Sequence, residues 1–335
     1  MRIVITGGAG FIGSQLGKRL HLQGHDVVLL DNMSYGHLDN LLLDGAPFGR
    51  FLCKDIRDPG LAGFMEGAEV VVHLAGIAPL PVCQVNPGAA YDVNVGGLGN
   101  VLEASRRIGV RRVIFSSTSA VYEKTKLPLL TEDAPIKPDL VYAMTKAAGE
   151  SLCDGFAANY DMDIVICRFF NVFGPHQDVK RLSPPFTSYV ARELVMGRQP
   201  MLYNNTAARR DYVHCDDVVT LLDKMMFADG HFAAERFNIC TGVGSSVPEL
   251  YRIFQEISGS DMEPVYSDPS TFWDRYPELF GEHHGLSRDR IREEVYKDAI
   301  GSPAKTEAVF GFRPSADIRS GIASVYSDAA SRLRP

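Results

Sequence analysis

Two short runs combine side chains able to move a proton. Tyr142-Ala143-Met144-Thr145-Lys146 sets a phenol and an ammonium four positions apart, and on a helix such a pair shares one face. A free tyrosine, with a pKa near about 10, is a poor base at neutral pH, but a cation beside it in a partly desolvated cleft favours the phenolate. Lowering that pKa by about three units takes roughly 4 kcal/mol. Lys146 and one further positive charge are the candidates to supply it. Taken alone, Tyr-xxx-Lys also describes an ordinary surface helix pair. The hydroxyl run Ser116-Ser117-Thr118-Ser119 shifts the balance, because it follows the apolar stretch 113–115. At the C-terminal end of such a strand, a hydroxyl can bridge a substrate oxygen and the tyrosine.

The further charge is suggested by Gly7-Gly8-Ala9-Gly10-Phe11-Ile12-Gly13, which follows the first apolar run and opens a helical stretch. Glycines at 7, 10 and 13 allow a tight turn, a close backbone approach to a pyrophosphate and close helix–strand packing. The helix N-terminus adds free N–H groups and a partial positive charge. Asp31 ends the second apolar run, 18 residues after Gly13. A carboxylate there accepts hydrogen bonds from a ribose 2′-hydroxyl and repels a 2′-phosphate. The expected coenzyme is therefore NAD rather than NADP, and its oxidised nicotinamide carries the second positive charge.

These groups need elements to hold them. Residues 2–6, 27–30, 70–74, 113–115 and 164–168 read as strands, and 14–23, 93–108 and 142–160 as helices. Continuous apolar strands separated by helices indicate a parallel sheet covered on both faces. The fold class expected is α/β, a Rossmann-type doubly wound sheet with a smaller mixed α/β lobe for substrate. The sheet domain is expected over 1–175, with segments near 210–240 returning to it, and the substrate lobe over 176–335. In the lobe, prolines break the pattern, and helices are readable at 186–196, 215–227 and 247–257.

Composition narrows the partners. At 335 residues, about 150 per domain gives about two domains. No run of 18 apolar residues is present, so no membrane helix is expected, and the N-terminus lacks the pattern of a secretory signal. Lys plus Arg is 34 against 41 for Asp plus Glu, a net charge of −7 without a basic run, which argues against nucleic acid. Six scattered cysteines with no CxxC pair read as buried thiols of a cytoplasmic protein. No metal site is expected, and the His283-His284 pair, with no cysteine nearby, reads as a solvated loop.

A family resemblance now becomes visible. The glycine run, Asp31, Cys53-Lys54-Asp55-Ile56-Arg57-Asp58, His73-Leu74-Ala75-Gly76, Asn94-Val95-Gly96-Gly97, Ser116-Ser117-Thr118, Tyr142-xxx-Lys146 and Arg168-Phe169-Phe170-Asn171-Val172-Phe173-Gly174-Pro175 occur in order. Together with Arg209-Arg210-Asp211-Tyr212-Val213-His214 they resemble the extended short-chain dehydrogenase/reductases of the nucleotide-sugar epimerase/dehydratase family. The resemblance implies NAD on Gly7, Gly10, Phe11, Ile12, Gly13, Asp31, Asn32, Ser34, Gly36, Asp55, Ile56, Leu74, Ala75, Asn94, Ser116, Tyr142, Lys146 and Phe169. It implies Thr118, Tyr142 and Lys146 as catalytic residues. Thr118, Asn171 and Arg210 would meet the substrate, with Arg292 as a second phosphate arginine. For Arg292 a solvated side chain is an equal alternative.

Family members open with removal of the C4 hydroxyl proton and hydride transfer to NAD, giving a 4-keto sugar. Dehydratases of the family carry an acidic pair just after the threonine position. Here Ser119 and Ala120 stand there. The resemblance therefore implies a nucleotide-sugar 4-epimerase, acting on a UDP-sugar. A dehydratase, a reductase or a 3,5-epimerase of the same family remains the alternative, with a non-catalytic NAD-sensing module behind it. Some segments depart from the family pattern. Glu123 stands where glycine is usual. The loop Ile77-Ala78-Pro79-Leu80-Pro81-Val82-Cys83 lacks a polar or basic side chain, and Asn204-Asn205-Thr206-Ala207-Ala208 replaces a glycine-rich turn. Residues 272–280 read as a substrate loop or a packing insert. The resemblance also implies a homodimer built on helices 94–107 and 142–160, for whose small residues burial behind the sheet is the other explanation.

Overall fold

The computed structural model describes residues 1–181, 184–282, 285–315 and 317–333; the His283-His284 pair lies outside the described residues. Seven strands form the main sheet: β1 Arg2–Thr6, β2 Asp26–Asp31, β3 Arg50–Cys53, β4 Val70–His73, β5 Arg112–Thr118, β6 Ile164–Phe169 and β7 Glu235–Ile239. Their order is β3-β2-β1-β4-β5-β6-β7, and every neighbouring pair is parallel. The chain winds one way from β1 to β3 and the other way from β4 onward. The crevice for a ligand therefore opens between β1 and β4, beyond their C-terminal ends.

The strands are apolar on both faces because helices cover both. One layer contains α1 Phe11–Leu22, and the other α2 Leu98–Ile108 and α3 Val141–Tyr160; α4 Cys215–Phe227 returns beside α1. Leu16, Leu20, Val218 and Leu222 pack with Ile3, Ile5 and Val72 on one side. Leu98, Val101, Leu102 and Cys153 pack with Val4, Val71 and Phe115 on the other. A separate core holds the second lobe, where Val190, Leu250, Phe254 and Ile322 meet Phe173. No helix of the described residues is long and apolar enough to cross a membrane.

Three local differences from the sequence reading bear on the site. Strand β5 runs to Thr118 rather than ending at 115, because Ser116, Ser117 and Thr118 pair in register with Cys167, Arg168 and Phe169. Ladder hydrogen bonds there outweigh the weak strand preference of serine. Helix α1 starts at Phe11, three residues early, directly on the glycine turn. The expected helix over 93–108 opens with a wide i→i+5 turn, Asp92–Gly97, before α2. Within this turn Asn94 is directed inward onto Ile77 and Thr145. Wide turns of this kind often occur at functional sites. Five of the six cysteines are buried as expected, but Cys53 is exposed, because it ends edge strand β3.

Candidate active site

The switch point carries a cleft of about 690 Å³. Its floor is the glycine turn. Gly7 takes a left-handed φ of 73°, and the Gly10 N–H closes onto the Gly7 carbonyl at 3.1 Å. A Cβ on Gly13 would lie 2.2 Å from the Gly7 oxygen, and one on Gly7 would lie 2.8 Å from the Ala75 nitrogen. Helix α1 has no side-chain cap and no acidic residue in its first turn. Its leading N–H groups thus remain for a phosphate.

At one end of the cleft, the Asp31 carboxylate is fixed from two sides. It accepts the Ala9 N–H at 3.1 Å and the Met33 N–H at 2.8 Å. Burial raises its pKa, and those two N–H groups pull against the rise. Gly36 lies so close that a Cβ there would sit 3.0 Å from Asp31 Oδ1. Asp55 is held well below the usual carboxylate range, first by its hydrogen bonds with Arg57. Asn32 adds a bond to it at 2.9 Å, and Ile56 is buried under Gly97.

At the other end stand the proton-moving groups. Thr118 and Ser116 come from β5, and Tyr142 and Lys146 from one face of α3; all four line the cleft. The Lys146 ammonium donates to the Ser116 carbonyl at 2.8 Å and sits 5.0 Å above the Phe115 ring. Burial pushes its pKa down to about 8. Burial pushes the Tyr142 phenol up to about 12, opposed by a hydrogen bond with Thr118. The group that favours ionisation of the phenol against this burial is the Thr118 hydroxyl. The only carboxylates among the lining residues are Asp31 and Asp55, both at the opposite end.

Almost all of the coenzyme residues expected from sequence line this one cleft, from Gly7 through Ser34, Leu74 and Ala75 to Phe169. Asn94 does not. It is 2% exposed and acts from behind, accepting the Ile77 N–H at 2.8 Å and donating to the Ile77 carbonyl and the Thr145 hydroxyl, each at 3.0 Å. It braces the loop above the reactive end. Sequence reasoning did not single out Tyr35, Gly76, Ile77, Ala78, Phe170 or Val172 as contacts, yet all line the cleft. Their signal was position alone: Tyr35, Gly76, Phe170 and Val172 are each adjacent to a residue that was singled out, and Ile77 and Ala78 follow Gly76 in the same loop.

A second cavity of about 360 Å³ adjoins it in the smaller lobe, lined by Asn171 and Arg210 together with Phe186, Tyr189, Tyr203, Tyr212, Phe272, Trp273 and Arg275. Asn171 donates to the Asp211 carbonyl at 3.0 Å. Arg210 donates to the Glu294 carbonyl and lies 3.8 Å from its carboxylate. Arg292 lines neither cavity. It is partly exposed and paired with Asp268 at 2.8 Å and Asp289 at 2.6 Å. The segment 272–280 serves as both lining and packing. Phe272 and Trp273 face the second cavity, while Trp273 and Leu279 join Leu140 and Ile291 in a small core that also takes in Leu80.

A sequence model described as "NAD dependent epimerase/dehydratase family" matches residues 3–240, well over half of the chain. The chain belongs to this family. A UDP-glucose 4-epimerase of Mycolicibacterium smegmatis is 35% identical over 274 residues, covering 80% of this chain and 86% of that protein. A dTDP-glucose 4,6-dehydratase of Streptomyces griseus is 30% identical over 332 residues, covering 97% and 93%. Among solved structures, the UDP-glucose 4-epimerase of Thermotoga maritima with UDP-glucose superposes with a TM-score of 0.86 at 29% identity, covering all of both chains. NAD is the cofactor of the family, and the residues present fit it. Gly7 and Gly13 leave no room for side chains where a pyrophosphate must approach, an uncapped helix end faces that spot, and a fixed carboxylate stands at the ribose end. Sequence and fold thus agree on an NAD-dependent enzyme family acting on nucleotide sugars. Both epimerases and dehydratases occur among its members.

Proposed function

We propose that this protein is a 4-epimerase of a UDP-sugar. One observation carries the reading: Thr118, Tyr142 and Lys146 converge at an end of the cleft that has no carboxylate among its lining residues. Eliminating water across C5 and C6 needs a proton-transfer acid there. Oxidation at C4 and its reversal need only the phenol.

In this reading Tyr142 takes the C4 hydroxyl proton, and Thr118 holds both that oxygen and the phenol in line. Lys146, fixed on the Ser116 carbonyl, supplies a positive charge along the same helix face. NAD, which the glycine turn and Asp31 would hold, would supply the acceptor for the C4 hydride and its source on return. Ile77, Ala78, Phe169, Phe170 and Val172 add apolar walls to the cleft. They offer the keto sugar few directional hydrogen bonds, so its ring can turn and present the other face. Arg210 and Asn171 anchor the diphosphate while it does so. The aromatic second cavity takes the uracil by stacking. We assign the exposed faces around Met144 and Tyr160 to a homodimer contact, which sedimentation at micromolar concentration tests.

The test is incubation of purified enzyme with UDP-glucose, UDP-N-acetylglucosamine and UDP-glucuronic acid, without added NAD. One of them should come to equilibrium with its C4 epimer. A product that has lost water or carbon dioxide would overturn the reading.

A further inference from the structure

Glu123 follows Tyr122 at the end of the short turn Ser119–Tyr122 that succeeds β5. Its side chain is fully buried, and Oε2 accepts the N–H groups of Asp139 at 2.7 Å and Leu140 at 2.8 Å. Leu140 is the residue that leads into α3, two positions before Tyr142. Leu140 itself makes no side-chain cap; Glu123 holds the entry through Asp139 and Leu140, and Gln84 Oε1 accepts the Val141 N–H at 3.2 Å. Arg290, on the helix α5 Arg288–Val295 of the smaller lobe, reaches the same spot. Its guanidinium lies 3.3 Å from Glu123 Oε2, bonds the Asp139 carboxylate, and stands 3.6 Å from Glu294. Glu294 also holds Lys297 at 2.8 Å, and Lys297 donates to the Glu123 carbonyl at 2.8 Å. The far end of this chain is Arg210, which touches Glu294 and lines the second cavity. Lys124 closes the surface side on Asp139 at 3.0 Å.

Two atoms in this cluster, Glu123 Oε1 and Arg290 Nη2, are buried without a hydrogen-bond partner. Buried charged groups left so are costly and seldom incidental. The pair is therefore in ion-pair contact at 3.3 Å without a formed hydrogen bond, and a small shift of α5 would complete it.

We propose that Arg290 and Glu123 are positioning residues for Tyr142, and that Glu294 links them to Arg210 so that seating of a diphosphate tightens the entry to α3. The idea rests on the epimerase reading above. A diphosphate on Arg210 competes with Glu294 for that cation. Glu294 is then left to Arg290 and Lys297, both of which hold Glu123. Placement of the phenol, rather than grip on the nucleotide, is what the clamp controls.

The experiment compares holoenzyme carrying Arg290→Met, Arg290→Lys or Glu123→Gln with the wild type, reading kcat, KM, UDP affinity by calorimetry, and retained NAD. A misplaced reacting group costs about tenfold or more in rate. The expected result is a kcat at least about tenfold lower in Arg290→Met and Glu123→Gln, with UDP affinity within about twofold and NAD retained, and partial recovery in Arg290→Lys. The double variant should be no slower than the slower single one. A kcat within twofold of wild type in folded Glu123→Gln, or a kcat loss matched by an equal loss of UDP affinity, would overturn the clamp. Should Arg290→Met not fold, Glu123→Gln, equal in size to the native residue, and Arg290→Lys decide the question. Absence of turnover in the wild type overturns the epimerase reading instead, so the two failures are distinct.

Discussion

Glu150 and Arg168 face each other as a two-pronged ion pair behind the reactive groups. Arg168 Nε donates to Glu150 Oε1 at 2.9 Å and Nη2 to Oε2 at 2.7 Å, with both side chains almost wholly buried. Glu150 lies on α3 one turn beyond Lys146, and Arg168 lies on β6 beside Ser117. The Ser117 hydroxyl donates to the same carboxylate. The pair thus fixes the rotation of the helix that carries Tyr142 and Lys146. Removing one partner strands a buried charge, at a cost of about 3–5 kcal/mol. Glu150→Ala should lower the free energy of unfolding by that amount in urea titration, and a loss under about 1 kcal/mol would contradict this account.

Thr118 should set the acid side of the rate profile. Its hydroxyl is what draws the Tyr142 phenol down against burial. Thr118→Val removes that bond, so the phenol's pKa rises and less phenolate exists at neutral pH. The expected outcome is a fall in kcat/KM of about 10²-fold at pH 7, with the acid limb moved to higher pH and Thr118→Ser near wild type. An unmoved acid limb in Thr118→Val would assign ionisation of the base to other groups.

Lys146 should set the alkaline side. Burial places its ammonium at about 8, and the positive nicotinamide pushes it further in the same direction. Loss of that proton removes the positive charge beside the phenol. Rates should therefore decline from pH 8 or below upward, and a profile flat into the strongly alkaline range would show that the charge of Lys146 is not needed.

Acid should destabilise the fold through His73. The ring is buried, bonded to the Thr6 hydroxyl at 2.7 Å and stacked on Phe115, and burial lowers its pKa from 6.5 to about 3. The folded pKa lies below the unfolded one, so the unfolded chain binds the extra proton. Stability then falls as pH drops from 6.5 toward about 3, by up to about 1.4 kcal/mol per pH unit for this one group. Urea midpoints of His73→Gln should show a shallower acid dependence than those of wild type over that range. Parallel curves would remove His73 from the explanation.

Gly13 should tolerate no side chain. A Cβ would meet the Gly7 carbonyl oxygen at 2.2 Å, a backbone atom that cannot swing aside. Gly13→Ala is expected to purify without NAD, seen as a lower ratio of nucleotide to protein absorbance. Full coenzyme content in that variant would mean the turn can relax.

The coenzyme cleft was legible in sequence because its contacts come from contiguous runs at the ends of strands. Gly7 to Gly13, Asp31 and Tyr142 with Lys146 each sit where chain order and sheet order coincide. The far side was less legible. Arg210, on the strand Arg209–His214, and Trp273, in the short helical turn Pro269–Arg275, are brought to one cavity from segments far apart in the chain, which local periodicity does not encode. Arg292 illustrates the difficulty, since nothing in its spacing foretold that Asp268 and Asp289 would engage it. Asn94 was visible as a site residue, but not its placement behind the loop, which goes with a wide turn that an ordinary helical pattern does not announce. Glu123 stood out only as an oddity until Arg290, distant in sequence, was seen beside it.

Strand β7 comes from residues 235–239 and is the second neighbour of β6. During synthesis, the stretch from Ile164 to Phe169 therefore leaves the ribosome long before its covering strand is made. Until then the nascent chain exposes an apolar, hydrogen-bond-hungry edge. Truncation anywhere before that strand leaves the same edge open, and such fragments are prone to pair with one another rather than remain single.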